Sequence, residues 1–267
     1  MFRKIIVVLS MLTVAANIII AEELQVAKNT SIGLYYDWQS ITMSDYLTAK
    51  IGTANGYINY LNNKALLKGF LPDYYLSITC PQNLANYGVR LSYKVTDEFA
   101  INIHGFTSSI SGTDSLNWTD SSNGYINYTS KWKFNINDVG MGIGYIKDDF
   151  MIKNTRSNFG VSLGVFYAEL IESDVRSQDL TLISTDTSKG FGIINSYPSQ
   201  SWFGNNISLD ITWLYQVYLT QNKNVSFDIT SAYKIATLNN VGNYSKLDFS
   251  GFKFGAGISY CFENYSK

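Results

Sequence analysis

The chain contains a single histidine, His104, and this residue is the first candidate for chemistry because histidine is the commonest general base in enzymes. A catalytic histidine needs a serine or a carboxylate within hydrogen-bond reach. Two residues further along is Phe106, which offers no nucleophile, and Ser108 lies too far along an extended chain for direct contact. We therefore expect His104 to hydrogen-bond its neighbours or water, and we predict no catalytic residue and no enzyme activity.

The sequence offers no other obvious reactive centre. No cluster of cysteine and histidine has the spacing of a metal site, and Asp148 with Asp149 is typical of a solvated turn. Cys80 and Cys261 are far apart in the sequence, and their contexts leave open whether they pair. A formal net charge of −1 gives no argument for binding to nucleic acid. We predict no cofactor, no metal and no nucleic-acid partner.

Charged side chains recur on the polar side of alternating segments, and they form the remaining candidate site. They can act together only if the surrounding elements bring them to one place. The set comprises Arg90, Lys94, His104, Lys131, Lys133, Asp210, Asp228, Lys234 and Lys253.

Residues 87–106 show most clearly which elements carry these side chains. Apolar residues such as Val89 and Leu91 alternate with polar residues such as Arg90, and the alternation resumes after a polar turn at residues 96–98. A strict period of two predicts two antiparallel strands with one apolar and one polar face. The same pattern predicts further strands at residues 30–39, 125–136, 139–145, 158–170, 204–220, 225–236 and 248–262.

The number of strands follows from the turns between them. The apolar set changes phase across Asn137 and Asp138, which we interpret as a two-residue hairpin turn because both residue types tolerate left-handed conformations. If this turn and those at residues 96–98 and 221–224 lie on one side, one more strand is needed near residues 175–185. The predicted total is ten, with twelve or eight as alternatives.

The N-terminal segment has the layout of a secretory signal peptide. Arg3 and Lys4 precede an apolar run that ends near Ala21, and Glu22 and Glu23 follow. A retained membrane anchor is the alternative interpretation. We predict a signal peptide at residues 1–21, a short segment at 22–29, one β-domain at 30–262 and a tail at 263–267.

The composition favours a transmembrane β-barrel over a soluble sandwich. Mean hydropathy is −0.03 although aromatic residues make up 15% of the chain, because apolar and polar residues alternate. A barrel can place the charged faces in a hydrated lumen while the apolar faces meet lipid. We therefore predict an all-β antiparallel transmembrane barrel with short periplasmic turns and long external loops.

The last predicted strand, GFKFGAGISYCF, resembles the C-terminal signal of Gram-negative outer-membrane proteins, which ends on an aromatic residue. Its apolar set includes Phe252, Phe254, Ile258, Tyr260 and Phe262. Residues 263–267 follow the last aromatic, whereas that family usually ends on it. The segment WKFNINDVGMGIGY is similar to strand-turn-strand units of small barrels of the OmpX and Opa type. The resemblance implies the bacterial outer membrane as location, with outer-membrane lipid and the barrel-assembly machinery as partners.

Three functions remain open at this stage. The preferred one is a surface or adhesin-like protein that contacts host or environmental ligands through external loops at residues 40–86, 107–123 and 186–201, since loops carry function on such scaffolds. The second is a small porin or channel, in which the lumen charges line a narrow pore instead of bracing it. The third is a barrel hydrolase that uses His104.

Overall fold

The computed structural model describes residues 29–41, 43–66, 73–79, 81–120, 124–178, 193–196, 199–242 and 244–262. These residues form eleven strands and one helix. In chain order they are β1 (Thr30–Ser40), α1 (Ser44–Leu66), β2 (Asp73–Ser77), β3 (Asn83–Lys94), β4 (Phe99–Asp120), β5 (Gly124–Asp148), β6 (Thr155–Gln178), β7 (Ile193–Ser196), β8 (Gln200–Tyr218), β9 (Val225–Val241), β10 (Tyr244–Asp248) and β11 (Gly251–Cys261). Within the described residues, no helix combines the length and apolar character that a membrane crossing requires.

Eight of the strands close into a ring. The antiparallel order is β1, β3, β4, β5, β6, β8, β9 and β11, and β11 pairs back onto β1 with Leu34 opposite Ile258. The short strands β2, β7 and β10 add to the ring strands β4, β6 and β9 at one end. The predicted antiparallel barrel is confirmed, and its ring corresponds to the eight-stranded alternative, not to the ten favoured from the sequence.

The ring is apolar outside and polar inside. Leu34, Ile143 and Ile207 are each more than 60% exposed on the outer surface, whereas Asp228 and Lys234 point inward and are at most 1% exposed. Exposed aromatic residues flank the aliphatic band at both ends, as in the girdles of membrane proteins. They include Tyr36, Trp38, Tyr87, Tyr233 and Phe252 at one end and Phe99, Tyr145, Phe159, Trp213 and Tyr260 at the other. This is the surface that a lipid bilayer requires of a barrel.

Three short turns mark the periplasmic end. The predicted turn at residues 96–98 is present, and the Thr96 hydroxyl accepts hydrogen bonds from the backbone N–H groups of Glu98 and Phe99. The turns at residues 149–154 and 219–224 lie at the same end of the ring. Since short turns face the periplasm in these barrels, the opposite end is extracellular.

The predicted hairpin at Asn137 and Asp138 is wrong. β5 runs unbroken through both residues, which pair with β4 and β6 in continuous register, and neither has a positive φ. From residue 130 to residue 146 of β5, the even-numbered residues face inward. Below Asp138 the outward set is apolar because it meets lipid, and above it the inward set is apolar because it forms a core. The phase change therefore marks the edge of the membrane, not a turn.

The same continuity corrects two neighbouring predictions. β4 extends to Asp120 through residues predicted as a loop at 107–123. The separate strand expected near residues 175–185 is the upper part of β6 as far as Gln178, and residues 179–192 lie outside the described part of the chain. Merging these segments accounts for the change from ten strands to eight.

One side of the barrel rises far above the membrane. β4, β5 and β6 contain 22, 25 and 24 residues, although a membrane crossing uses only about ten. At about 3.3 Å per residue, the remainder of β5 extends roughly 50 Å along the strand. We call the parts of β4, β5 and β6 above the paired residues Phe106, Asp138 and Phe166 the extracellular extension.

Candidate functional site

Five inward-facing residues from five different strands meet near the extracellular edge of the membrane. We call them the central charge cluster: His104 (β4), Asp138 (β5), Asp210 (β8), Lys234 (β9) and Lys253 (β11), all buried. Lys253 Nζ lies 3.0 Å from Asp210 Oδ1, and His104 Nε2 lies 3.3 Å from Asp138 Oδ2. Lys234 Nζ contacts both Asp138 and Asp210, the latter at 3.4 Å. The cluster ties together strands from opposite sides of the ring.

The charges of the cluster balance when His104 is neutral, since two ammonium groups face two carboxylates. Such balance matters because a buried charge without a partner is strongly destabilising. Ser208 Oγ donates a 2.8 Å hydrogen bond to Asp138 Oδ1, and Lys253 also lies over the ring of Phe106. Every charge in the cluster therefore has an opposite charge within ion-pair distance.

Inward-facing glycines make room for these side chains. A Cβ on Gly140 would lie 2.6 Å from Cε1 of His104, which is closer than real Cβ atoms approach other atoms. A Cβ on Gly164 would lie 2.8 Å from Ser208 Oγ, the group that donates to Asp138. The absence of a side chain at these positions lets the cluster fill the lumen.

Three residues of the cluster have the spacing of metal ligands, and the ammonium group of Lys234 contacts two of them. His104, Asp138 and Asp210 each offer a ligand atom, and these atoms lie within 4.8 Å of one another. Lys234 Nζ contacts both carboxylates and so takes the position that a cation would need. Sequence reasoning overlooked Asp138 because it was interpreted as a turn residue.

The hydrogen bonds of the cluster differ from those of a hydrolase site. His104 and Ser208 both bind Asp138, so the serine donates to the carboxylate and not to the imidazole. A nucleophile needs the reverse order, in which the base contacts the hydroxyl and the carboxylate orients the base. Within the described residues, His104 has no hydrogen-bonded serine.

A second polar layer lies on the periplasmic side of the cluster. Asp228 accepts hydrogen bonds from the Tyr35 hydroxyl, from Ser226 Oγ at 2.6 Å and from Gln216 Nε2 at 3.3 Å. Arg90 pairs with the buried Asp37 at 3.3 Å. Two of the predicted lumen charges, Arg90 and Asp228, thus have their own partners outside the cluster.

At the periplasmic mouth, Lys94 lies 3.2 Å from Asp97 and 3.9 Å from Asp148. Arg156 Nε donates to Asp148 Oδ1 at 2.6 Å. Between this mouth and the cluster is a cavity of about 40 Å³, with Arg90 and His104 among its lining residues. That volume accommodates a few water molecules and no larger solute.

Lys131 and Lys133, predicted to lie in the lumen, lie exposed on the outer face of the extracellular extension. The cause is the phase change of β5. Above the membrane edge the polar set faces outward, whereas below it the polar set faces inward. The proposed assembly-signal residues Phe252, Phe254, Ile258 and Tyr260 lie exposed on the lipid face of β11, and Phe262 follows its end.

Above the cluster, the interior of the extension is filled by an apolar plug. Its buried members are Ile41, Met43, Tyr46, Leu84, Trp132, Phe134, Ile136, Phe166, Ala168, Leu170, Ala236, Leu238, Val241, Tyr244, Leu247 and Phe249. Phe166 also connects the two regions, since Lys234 Nζ lies 5.2 Å from its ring centre. The lumen is therefore closed by packed apolar side chains above and ion pairs below.

Helix α1 enters the mouth of the extension and completes the plug. The ring of Tyr46 contacts those of Trp132, Phe134 and Tyr244 at centroid distances of 6.0, 5.7 and 4.7 Å. Lys50, one turn further along, lies 2.7 Å from Glu172 and 3.5 Å from Asp114.

Glu172, the acidic partner of Lys50, also binds Tyr244. Tyr244 donates a 2.8 Å hydrogen bond to Glu172, and burial, together with the neighbouring Tyr46 and Glu172, raises the pKa of the Tyr244 hydroxyl. The hydroxyl therefore stays protonated and remains a donor. These contacts fix the first turns of α1 inside the barrel mouth.

No protein-family model matches the chain, and no curated protein sequence matches it either. Among solved structures, it is similar to the attachment invasion locus protein Ail of Yersinia pestis, with 11% identity, 86% of this chain and 96% of that chain covered, and a TM-score of 0.40. It is also similar to Neisserial surface protein A, with 10% identity, 87% of this chain and 97% of that chain covered, and a TM-score of 0.40. The outer membrane protease OmpT of Escherichia coli has 10% identity, with 88% of this chain and 97% of that chain covered, and a TM-score of 0.26.

The geometry itself defines the class of protein. A closed, even-numbered antiparallel ring with an apolar outer band, aromatic girdles, a polar lumen and short turns at one end is the architecture of an outer-membrane β-barrel. The chain has each of these features and is an outer-membrane β-barrel protein.

Proposed function

We propose that the protein is a non-enzymatic outer-membrane barrel that acts at the cell surface, where its extracellular extension contacts host or environmental ligands. The observation that carries the proposal is the contrast between a filled lumen and a tall external wall. The apolar plug and the central charge cluster occupy the bore, whereas β4, β5 and β6 extend roughly 40 to 50 Å along the strands beyond the membrane.

The outer face of the extension has the composition of an adaptable recognition surface. Ser109 Oγ donates to Asn135 Oδ1 and Asn135 Nδ2 donates to Glu169 Oε2, both at 3.1 Å, across three neighbouring strands. Beside this ladder, the exposed ring of Phe203 stacks on Tyr167 with 6.0 Å between centroids. Rigid aromatic rings together with hydroxyl and amide groups are typical of surfaces that bind macromolecules.

The test is to shorten the tall wall without disturbing the plug. Residues 117–127 at the tip of β4 and β5 are replaced by Asn-Gly, which joins the paired residues Leu116 and Tyr128 through a two-residue turn. Cells that carry this variant should lose attachment to host-cell or matrix surfaces that cells with the natural barrel retain.

The matched control changes the opposite end of the barrel. Gln221 and Asn222, exposed in a periplasmic turn, are replaced by alanine, and attachment should be unchanged. Heat-modifiable gel mobility verifies that both variants form barrels. If the shortened barrel folds and its cells attach as well as the natural ones, the proposal is wrong.

The channel alternative predicts conductance, and the filled bore argues against it. The refolded barrel in a planar bilayer should give no stepwise current, because the plug and the cluster fill the bore among the described residues. Reproducible single-channel steps from the folded protein would favour a pore over a surface protein.

A further inference from the structure

Two inward-facing carboxylates converge on one ammonium group in the mouth of the extracellular extension. Lys50 Nζ of α1 lies 2.7 Å from Glu172 Oε1 on β6 and 3.5 Å from Asp114 Oδ2 on β4. Among the described side chains, Lys50 is the only cation within ion-pair distance of either acid. The two acids, which we call the mouth carboxylates, therefore keep one negative charge unbalanced, and such a site attracts cations.

The wall of the barrel holds the mouth carboxylates in place without help from α1. Trp132 Nε1 donates to Asp114 Oδ1 at 3.3 Å, and the backbone N–H of Thr79 donates to the same oxygen at 2.8 Å. Tyr244 of β10 donates to Glu172 Oε1 at 2.8 Å. Because none of these donors belongs to α1, the two carboxylates keep their positions when the lysine leaves.

Each mouth carboxylate has one oxygen atom that lacks a hydrogen-bond donor. Asp114 is 5% exposed, and its Oδ2 atom is buried and accepts no hydrogen bond from the described residues. Glu172 receives both its contacts at Oε1, and Oε2 accepts none within the described part of the chain. A buried acceptor without a donor is unfavourable, and an ammonium group offers three N–H donors. The two oxygen atoms therefore suit a ligand with more N–H groups than Lys50 places there.

Aromatic rings beside the carboxylates favour an organic ammonium group over a metal ion. Lys50 Nζ lies 5.5 Å from the ring centre of Tyr46, and the ring of Trp132 contacts that of Tyr46 at a centroid distance of 6.0 Å. The faces of such rings attract ammonium groups. Calcium takes about six to eight oxygen ligands, and magnesium needs a near-ideal octahedron of ligands. Two carboxylates beside aromatic rings therefore suit an alkylammonium group better than either metal.

The site is open toward the outside of the cell. Lys50 keeps 15% of its side chain exposed, and Ile51, Gly52 and Asn55 further along α1 are exposed. The stem of a lysine is a flexible chain of four carbons, so Lys50 can swing out without moving the wall. A flexible aliphatic amine can enter along the same path with its terminal ammonium group first. A second ammonium group on that amine would then meet the unbalanced negative charge.

We propose that Asp114 and Glu172, with the rings of Tyr46 and Trp132, form an extracellular binding site for the terminal ammonium group of a linear aliphatic polyamine. Lys50 occupies this site in the absence of ligand and competes with the polyamine for it. The site lies inside the mouth of the extension and is separate from the outer face that serves the proposed surface function, so either proposal can fail without the other.

The test titrates the full barrel, refolded in uncharged detergent at low ionic strength, with spermidine and measures the heat of binding. On the natural barrel, spermidine should bind about tenfold more tightly than butylamine, because its additional ammonium groups meet a negative site. Magnesium chloride should bind at least about tenfold more weakly than spermidine, because the aromatic faces offer the metal no oxygen ligand. Equal affinity for butylamine or for magnesium would overturn the proposal.

Removal of the internal competitor gives the sharpest comparison. Lys50→Met should bind spermidine about tenfold more tightly than the natural barrel, because a tethered group competes at an effective concentration in the millimolar range. Adding Glu172→Gln to Lys50→Met should weaken binding about 10- to 100-fold, the range expected for a hydrogen bond to a charged group.

The matched control removes an acid at the other end of the barrel. Adding Glu98→Gln to Lys50→Met, which changes an exposed residue of a periplasmic turn, should leave the affinity for spermidine within about twofold. Heat-modifiable gel mobility verifies that each variant forms a barrel. If Lys50→Met binds spermidine no more tightly than the natural barrel, or if Glu172→Gln leaves its affinity unchanged, the proposed site is wrong.

Discussion

Lys234 offers the sharpest test of how the lumen is stabilised, because its ammonium contacts both carboxylates of the central charge cluster. Lys234→Met keeps a side chain of similar length but leaves Asp210 with Lys253 and removes the ammonium partner of Asp138. Breaking a buried ion pair by removing one partner costs about 3 to 5 kcal/mol. Because a folded domain is stable by about 5 to 15 kcal/mol, this loss is a large fraction of the total.

The measurement is urea unfolding of the refolded barrel in lipid vesicles, followed by the change in heat-modifiable gel mobility. A second variant, Lys234→Met with Asp138→Asn, restores equal numbers of positive and negative charges. We expect it to lose only about 1 to 2 kcal/mol, the cost of weaker hydrogen bonds to Ser208 and His104. The cycle of single and double variants measures the coupling directly.

Lys147→Met provides the control, since it removes an exposed lysine at the periplasmic end and should change stability by less than about 0.5 kcal/mol. If Lys234→Met costs less than about 1 kcal/mol, the cluster does not hold the barrel together. If the double variant loses as much as the two single variants combined, charge balance is not the reason for the stability.

Further predictions concern the plug and the strand contacts. Tyr46→Ala should cost about 3 to 5 kcal/mol by the same urea assay, because a fully buried ring is lost from the plug; a loss below 1 kcal/mol would show that α1 is not anchored. Lys50→Met should increase proteolysis within α1 while the barrel still shifts on gels, since the ion pairs to Glu172 and Asp114 are lost; unchanged proteolysis would contradict this. Gly142→Ala should prevent the gel shift of the folded barrel, because a Cβ there would lie 2.0 Å from the carbonyl oxygen of Val161, and a normal shift would refute the clash.

Alternation of apolar and polar residues was enough to predict the barrel, the turn at residues 96–98 and the inward direction of His104, Asp210, Asp228, Lys234 and Lys253. Each lies in the membrane-spanning part of its strand, where the environment on each face is constant. A period of two then assigns the faces correctly.

The errors arose where the environment changes along a single strand. Alternation reports which face is apolar, and it cannot distinguish a turn from a strand that leaves lipid and encloses a core. Asn137 and Asp138 lie at such a boundary, so the hairpin prediction, the lumen assignment of Lys131 and Lys133 and the omission of Asp138 all had one cause. The polar run at the outward positions from Asn137 to Lys131 was the available signal, because it contains two lysines and no acidic residue that could pair with them in a lumen.

Helix α1 could not be predicted for a different reason. Its sequence includes Gly52 and Gly56, which lower helix propensity, and among its described side chains those that pack in the plug lie in the first turns. The helix depends on Tyr46 and Lys50, whose partners come from β4, β5, β6 and β10. Those partners are far away in sequence, so no local pattern indicates them.

The polarity reversal along β5 and β6 also fixes the level of the membrane surface on the barrel. Below this level the apolar side chains face outward and need lipid around them. Above it the apolar side chains of the same strands face inward and form a core. Displacing the barrel vertically by one outward position, about 7 Å along the strand, would put Asn137 and Tyr167 into hydrocarbon or expose Val139 and Val165 to water. The depth of the barrel in the bilayer is therefore encoded in the strands themselves.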